Sequence, residues 1–508
     1  MESRAEAIAV AAPRPAVVAQ ELVWPALVAL CTAMAVAPLW ASELLPYQDA
    51  PQHVAAVRVL ADYRTPGLGF DRWFEIDLGR LQYLGFYLPA AILAKVTGAD
   101  VAVRILLSII AVATSAAFWM FLGAFDRDRR LAIFAPPVFH TVPLYLGFFN
   151  FLESIPLALA LLALGERELR EPSRRRAAVL AMGGAALLWL HPSGLGFAVA
   201  AGCILALTSG QTWRRQLRAL LPWMPAMLLL GTWAVHALAV RDGPGATART
   251  PPYWLAPKDT ILGLVRFGNV LASHGDEIFV AALAALLCAA VAIRPRPRLV
   301  RAWRLPLLAG LVLVAYLVVP YDIGYMGYIP LRALPFFALL VIASPSIAPG
   351  PATSAIFAVA VVLQVAFQTS MVASYRAFDR EAQVTELRQV LHAAEPGRRL
   401  FAIVGDSASH LFQYQSFLHF GSYYEVFRGG RARYNFAETP WTPVRFREGT
   451  DPVPLPRSWE LHPLTVDLSR ALAGEDFVLL RTPAPTPEGF HRVAHAGRWE
   501  LYAPDARR

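Results

Sequence analysis

The sequence predicts a polytopic α-helical membrane protein with a small soluble α/β domain at its C-terminal end. Three observations predict it. Hydrophobic residues make up 56% of the 508 and charged residues only 16%, with a mean hydropathy of +0.45; a soluble domain carries roughly 25% charge. The apolar residues recur in blocks through the first three-quarters of the chain, many of them near the ~20 residues a helix needs to cross a bilayer. After Ala373 the composition turns to dense charge, Pro, Gly and short β-like runs.

Residues 1–21 are a polar, Ala- and Pro-bearing segment expected on the cytoplasmic side. The first apolar block, Leu22–Ala41, exceeds the about 7–15 apolar residues of a signal-peptide core and reads as an uncleaved anchor. Further spans are expected at Val101–Gly123, Ala219–Val240, Ile278–Ile293, Leu305–Val319, Leu331–Ala343 and Ala352–Ala373. Two longer stretches read as helical hairpins. Leu131–Leu164 breaks near Gly147-Phe148-Phe149-Asn150, and Ala177–Thr208 breaks at His191-Pro192-Ser193-Gly194.

Basic clusters orient these spans. They comprise Arg127, Arg129 and Arg130; Arg167, Arg170 and Arg174 to Arg176; Arg214, Arg215 and Arg218; and Arg294, Arg296, Arg298, Arg301 and Arg304. With all of them in the cytoplasm, the map has about eleven spans, the N-terminus inside and the C-terminus outside. Counts of about 12 or 13 are the alternatives, because Leu81–Val96 is apolar enough to cross. The charge map requires that segment to be re-entrant or to lie along the interface. Residues 22–375 then form the membrane domain, 42–100 its outer loop, and 376–508 an extracytoplasmic α/β domain.

The net charge of +9 follows from these clusters, and their placement between apolar blocks argues against a nucleic-acid partner. Cys31, Cys203 and Cys288 each lie inside an apolar block and read as small buried hydrophobes. No metal site is expected from their spacing.

Chemistry concentrates in Pro46-Tyr47-Gln48-Asp49-Ala50-Pro51-Gln52-His53, just after the first span. A carboxylate beside lipid is expensive and usually functional. Asp49 can serve as a general base or orient a hydroxyl; it can equally cap the helix that starts near Pro51. Val54, Val57 and Leu60 recur at helical spacing, which places His53 and Arg58 on a short interfacial helix. His53 can assist Asp49, contact phosphate, or simply hydrogen-bond a neighbour. Arg332 opens a span from the outer side, against the charge bias. Its forked guanidinium suits phosphate, with a headgroup anchor as the alternative. His191 and Asn150 sit at the two outward hairpin tips, where they can line a shared cavity. Further along the chain, residues 241–277 carry Tyr253, Trp254, Lys258, Arg266 and the His274-x-Asp276-Glu277 group, which reads as solvated rather than metal-binding.

The run Gln48-Asp49-Ala50-Pro51-Gln52-His53 resembles the Asp-x-x-x-His form of the outer catalytic loop in GT-C glycosyltransferases. Gly147-Phe148-Phe149-Asn150-Phe151-Leu152, Leu190-His191-Pro192, and His419-Phe420-Gly421-Ser422-Tyr423-Tyr424 with Arg428-Gly429-Gly430 also resemble recurring pieces of that group. The resemblance implies a GT-C-like architecture and transfer of a sugar from a polyprenyl-phosphate donor to an extracytoplasmic acceptor: a lipid, glycan or protein. It implies the role of the family's loop Asp for Asp49; together with the residue readings, His53 is expected beside it in catalysis and Arg332, Arg58, His191 and Asn150 in binding the lipid phosphate or substrate. It also implies a bacterial inner membrane, in contact with the lipid bilayer. No second acidic residue adjoins Asp49, so the paired-acid motif that would support a divalent cation as cofactor is missing. The alternatives are a transporter or lipid flippase, and a catalytically silent scaffold. A transporter favours mid-depth charges or two related halves, neither of which is visible here.

Overall fold

The computed structural model describes residues 15–239, 250–293, 301–324, 326–456 and 459–505. Six described helices are long and apolar enough to cross a membrane: Leu22–Trp40, Ala99–Ala124, Phe149–Arg170, Trp213–His236, Gly275–Ile293 and Pro351–His392. Shorter apolar helices, among them Leu84–Thr97, Pro192–Leu207, Arg304–Val318 and Pro330–Ala343, accompany them. The helices that position the site are α1 (Pro15–Val36), α2 (Ala50–Asp62), α3 (Leu84–Thr97), α4 (Ala99–Ala124), α5 (Phe149–Arg170), α6 (Arg174–Leu190), α7 (Pro192–Leu207) and α8 (Pro351–Ala382).

One end of the bundle collects the described basic clusters. Arg130 pairs with Asp128 at 2.6 Å, donates to Ser354 Oγ and lies over the Trp24 ring. Arg127 donates to Ser346 Oγ and the Ala302 carbonyl. Arg170 meets Asp126 at 2.8 Å, and buried Arg304 meets Glu166 at 2.9 Å. Arg294, Arg296 and Arg298 lie outside the described residues, as do the first 14 residues and 240–249 of the following loop.

The stretch expected as the first hairpin is built differently. Only its second half is a long helix, α5; before it come a 3-10 turn at Arg129–Phe134 and helical turns at Pro136–Phe139 and Val142–Leu146. Pro136, Pro137 and Pro143 each remove a backbone donor, so a continuous helix cannot form. The broken segment still runs from the basic end to Gly147 at the other. Irregular backbone is tolerated at membrane depth only when protein surrounds it, and here Leu131–Ala135 and Val142–Leu146 are buried. Gln364 donates to the Ile133 carbonyl at 2.9 Å. The second hairpin forms as α6 and α7, with His191 at the joint.

Helix α3 covers the ambiguous 81–96 segment. Its 14 residues span only about 21 Å at 1.5 Å per residue. Tyr83 at its start stacks on His191. After its end, Gly98 leads into α4, where Arg104 donates to the carbonyls of Leu39 and Glu43 beyond α1. Both ends of α3 therefore sit at the end of the bundle opposite the basic clusters.

The 376 boundary falls inside α8, which continues unbroken to Ala382. Beyond it lie β4 (Arg399–Val404), β5 (Arg431–Ala432), β7 (Phe477–Arg481), β8 (Phe490–Ala496) and β9 (Trp499–Pro504). They form one sheet in the order β5-β4-β7-β9-β8. The pleat alternates its side chains. Leu400, Leu479 and Leu501 join the main helical core, while Phe401, Ile403, Val478 and Leu480 form a second core on the opposite face. The C-terminal region thus sits directly on the bundle. Strand β1 (Phe74–Ile76) pairs with β6 (Val444–Phe446), tying it to the loop after α1; β2 (Thr250–Tyr253) pairs with β3 (Asp322–Gly324).

This docking changes the setting of α2. The sequence predicts an interfacial helix, but Ala50–Val57 are all buried beneath the C-terminal region. Gln52 donates to Ser422 Oγ and the Tyr434 carbonyl, and accepts from the Phe436 amide.

Candidate functional site

Asp49 stands at the N-cap position of α2, in a turn held from both sides. The Gln48 amide donates to the Tyr145 carbonyl at 2.9 Å, and Ser416 Oγ donates to the Pro46 carbonyl at 2.9 Å. Yet the Asp49 side chain caps no amide. Its Oδ1 lies 3.1 Å from Nδ1 of His419, a buried residue of the C-terminal region. The contact is close without being aligned as a hydrogen bond, so neither ring nitrogen of His419 has a hydrogen-bond partner. The imidazole stacks on Tyr434 at 4.4 Å between centroids. Gly147 presses on the other side of Asp49 at a φ of +91°, where an added Cβ would lie 2.6 Å from the Asp49 Cβ.

His53 lies one helical turn further on, and both its nitrogens are engaged. Nε2 donates to the Gly147 carbonyl at 2.7 Å, and Nδ1 accepts from the Tyr87 hydroxyl at 2.9 Å. The ring also stacks on Phe149. Burial pushes its pKa down to about 4, so at pH 7 it is neutral. This geometry makes His53 a brace for the Gly147 turn. Both Nδ1 and Nε2 are engaged with protein groups, the hydrogen-bonding alternative among the sequence readings, while the residue also lines the cavity onto which Asp49 opens.

Asp49 opens into a cavity of about 1090 Å³ between the bundle and the C-terminal region, and Arg332 lines the same cavity. Pockets for drug-sized ligands run about 300–1,000 Å³, so this one has room for more than one substrate group. The Arg332 guanidinium lies over Phe148 at 4.4 Å and donates to the Gly327 carbonyl at 2.7 Å; its buried Nε has no partner. Among the described residues no carboxylate forms an ion pair with it.

Asn150 and His191 also line the cavity. Asn150 Oδ1 is buried without a hydrogen-bond partner. His191 accepts from the Ser193 amide at 3.0 Å through Nδ1, capping α7, and packs between Tyr83 and Phe151. The structure does not bring Arg58 together with the others. Its guanidinium pairs with Asp62 at 2.5 Å, one turn along α2, and it is not part of the cavity wall. In the 241–277 loop, Asp276 accepts from the Val270 and Leu271 amides, and His274 lies 3.4 Å from Glu277. Asp276 thereby stabilises the turn before its helix.

The cavity's far wall was not anticipated. Arg433, Tyr434, Glu438, Trp441 and Trp459 line it from the C-terminal region, with His419 between them and Asp49. No local pattern marks these residues: His419 is 370 positions from Asp49, and only its run had been singled out. Chemically, the site sets a carboxylate with an open face across a cavity from a guanidinium that forms no ion pair among the described residues. Such a pair can deprotonate a hydroxyl and stabilise a leaving phosphate.

No protein-family model matches this chain, and no curated protein matches it. Among solved structures it is similar to the crystal structure of ArnT from Cupriavidus metallidurans bound to undecaprenyl phosphate. The TM-score is 0.55 over 94% of this chain and 97% of that one, at 11% identity. At that identity the likeness is one of fold. The chain shares the overall fold of that structure.

Proposed function

We propose that this protein transfers a sugar from a polyprenyl-phosphate carrier to an extracytoplasmic acceptor. The observation that carries the reading is that Asp49 caps no amide and opens on the cavity that Arg332 lines. The ArnT structure supports it with a bound undecaprenyl phosphate in the same fold. In the proposed reaction an acceptor oxygen attacks the anomeric carbon as its proton passes to Asp49. The bond from that carbon to the phosphate oxygen breaks, and the bonding electrons leave with the phosphate, which Arg332 stabilises. Asn150 and His191 orient the substrates from the bundle side. The reading is tested by incubating the purified protein with undecaprenyl-phosphate sugars and following release of undecaprenyl phosphate. Absence of release with any donor and acceptor pair from the cell envelope would remove the enzyme assignment.

In this reading the broken 129–147 segment counts as one crossing and α3 as none, which leaves eleven spans with the cavity on the outer face. Reporter fusions after Arg130, Arg176 and Arg304 are expected to read cytoplasmic, and a fusion at Arg508 extracytoplasmic. A cytoplasmic signal at Arg508 would put the cavity on the wrong side.

Arg332→Lys keeps the charge and loses the fork, so affinity for undecaprenyl phosphate should fall while the protein still folds. Arg332→Ala should cost about 1.5–3 kcal/mol of binding, the range for hydrogen bonds to charged groups. Unchanged affinity in the Ala variant would leave Arg332 as a packing partner of Phe148.

A further inference from the structure

The basic end of the bundle carries a surface whose charge the protein does not balance. The helix Trp213–Leu220 leads through a 3-10 turn at Leu221–Trp223 into the span that ends at His236. Trp213, Leu217 and Leu221 recur every fourth residue and are more than half exposed, and exposed Met224 and Leu228 carry the same stripe into the span. At 3.6 residues per turn these side chains share one face. Arg214 and Arg218, each one position further on, are exposed along the flank of that stripe, with exposed Arg215 beyond them.

No carboxylate answers these arginines. Between Glu171 and Asp242 the sequence has none. The described carboxylates at this end are engaged elsewhere: Asp126 with Arg170, Asp128 with Arg130, Glu166 with Arg304, and Glu168 and Glu171 with Arg176. Among the described residues Arg214, Arg215 and Arg218 form no ion pair. Arg214 lies over the Trp213 ring at 5.6 Å, and Arg215 donates to Gln211 at 3.2 Å. Arg301 adds a fourth guanidinium at the entry to the helix, where a Cβ on Gly210 would lie 2.9 Å from it. The stripe and its flank together name the ligand. Free phosphate would satisfy the guanidinium groups and leave the apolar stripe in water, whereas a phospholipid covers both. A zwitterionic headgroup offsets its phosphate with its own ammonium, so arginines without carboxylates favour a headgroup of net negative charge. A Trp ring at the edge of a span lies at headgroup depth.

We propose that Trp213, Arg214, Leu217 and Arg218 form a binding site for an anionic phospholipid in the leaflet at the basic end of the bundle. Arg214 and Arg218, one helical turn apart, hold its phosphate, and Trp213 and Leu217 pack against the upper part of its acyl chains. The site lies apart from the cavity of Asp49 and does not depend on the transfer reaction.

Phosphatidylcholine nanodiscs that hold the full chain and a trace of phosphatidylglycerol, photoactivatable in its upper acyl chain, test the site. Crosslinks mapped by mass spectrometry are expected at the stripe from Trp213 to Leu228. Unlabelled phosphatidylglycerol should displace them at a mole fraction about tenfold or more below that of phosphatidylethanolamine. Arg214→Gln combined with Arg218→Gln should lower labelling there roughly 10- to 30-fold, the surface attraction of two arginines. Both side chains are exposed and bond no other element, and Arg218→Gln alone keeps the test if the pair does not insert. Arg398→Gln combined with Arg492→Gln removes the same charge from exposed positions in the C-terminal region and should leave labelling unchanged. Labelling spread evenly over the other spans, equal displacement by phosphatidylethanolamine, no change in the Arg214 and Arg218 variants, or an equal loss in the C-terminal control would overturn the proposal. Displacement by inorganic pyrophosphate as effective as by phosphatidylglycerol would also overturn it, and would make the arginines a site for a soluble phosphate.

Discussion

Asp49→Asn is expected to lower sugar transfer by about 10²–10⁴-fold, the contribution of general-base catalysis, with little change in melting temperature. Asn keeps the shape of Asp and ranks with it as a helix cap, so a capping role would leave the variant near normal. The geometry separates the two outcomes in advance. Asp49 occupies the cap position but accepts no amide hydrogen, and its oxygen faces His419 instead. The contact with His419 is unaligned and the Asp49 carboxylate is partly open to the cavity, so losing its charge should cost little stability. Turnover of an undecaprenyl-phosphate sugar and thermal unfolding, measured on the same preparation, decide the matter. Near-normal turnover would return Asp49 to a structural role and leave the fold without an assigned base.

What could be read from the sequence follows a physical divide between local and distant causes. The cost of placing Asp49 beside lipid is local, and so are the prolines around it, which made this loop visible. The orientation of the spans is also local, because each basic cluster lies next to the blocks it orients; Arg130 against Trp24 and Arg304 against Glu166 are the contacts that gather them. The prolines that break the 129–147 segment were equally open to view, but apolar length outweighed them in the reading. By contrast, the setting of α2 depends on Ser422, Tyr434 and Phe436. These lie more than 300 residues away, and nothing near Gln52 or His53 announces them. The contacts that make Gln52 a strut, and the choice of His53's partners, were therefore not legible in the motif. Arg58 shows the same limit: helical spacing placed it near His53 in sequence, and in the structure it pairs with Asp62. The cavity's far wall was hidden because it forms only when the C-terminal region docks on the bundle.

Gly147→Ala is expected to cut transfer by about 10²-fold, the effect of displacing a reacting group by roughly 1 Å, even though the substitution adds one methyl outside the reacting groups. Two constraints coincide at this residue. Its φ of +91° lies in the left-handed region that glycine alone adopts freely, and an L side chain there costs about 1–2 kcal/mol. The added Cβ would also lie 2.6 Å from the Cβ of Asp49 and 3.1 Å from its Cα and amide. Those atoms are anchored, since the Gln48 amide is bonded to Tyr145 and the His53 amide to the Asp49 carbonyl. Relief must come from moving either Asp49 or the Gly147 carbonyl that His53 holds, and both movements displace the carboxylate relative to Arg332. The variant should therefore lose turnover more than it loses affinity for undecaprenyl phosphate, because Arg332, the proposed phosphate contact, is not displaced directly. A thermal shift of a few degrees with turnover intact would show that the loop absorbs the methyl. Proportional loss of undecaprenyl phosphate binding and turnover would point instead to collapse of the cavity, and would place the function of Gly147 in the fold rather than in the aim of Asp49.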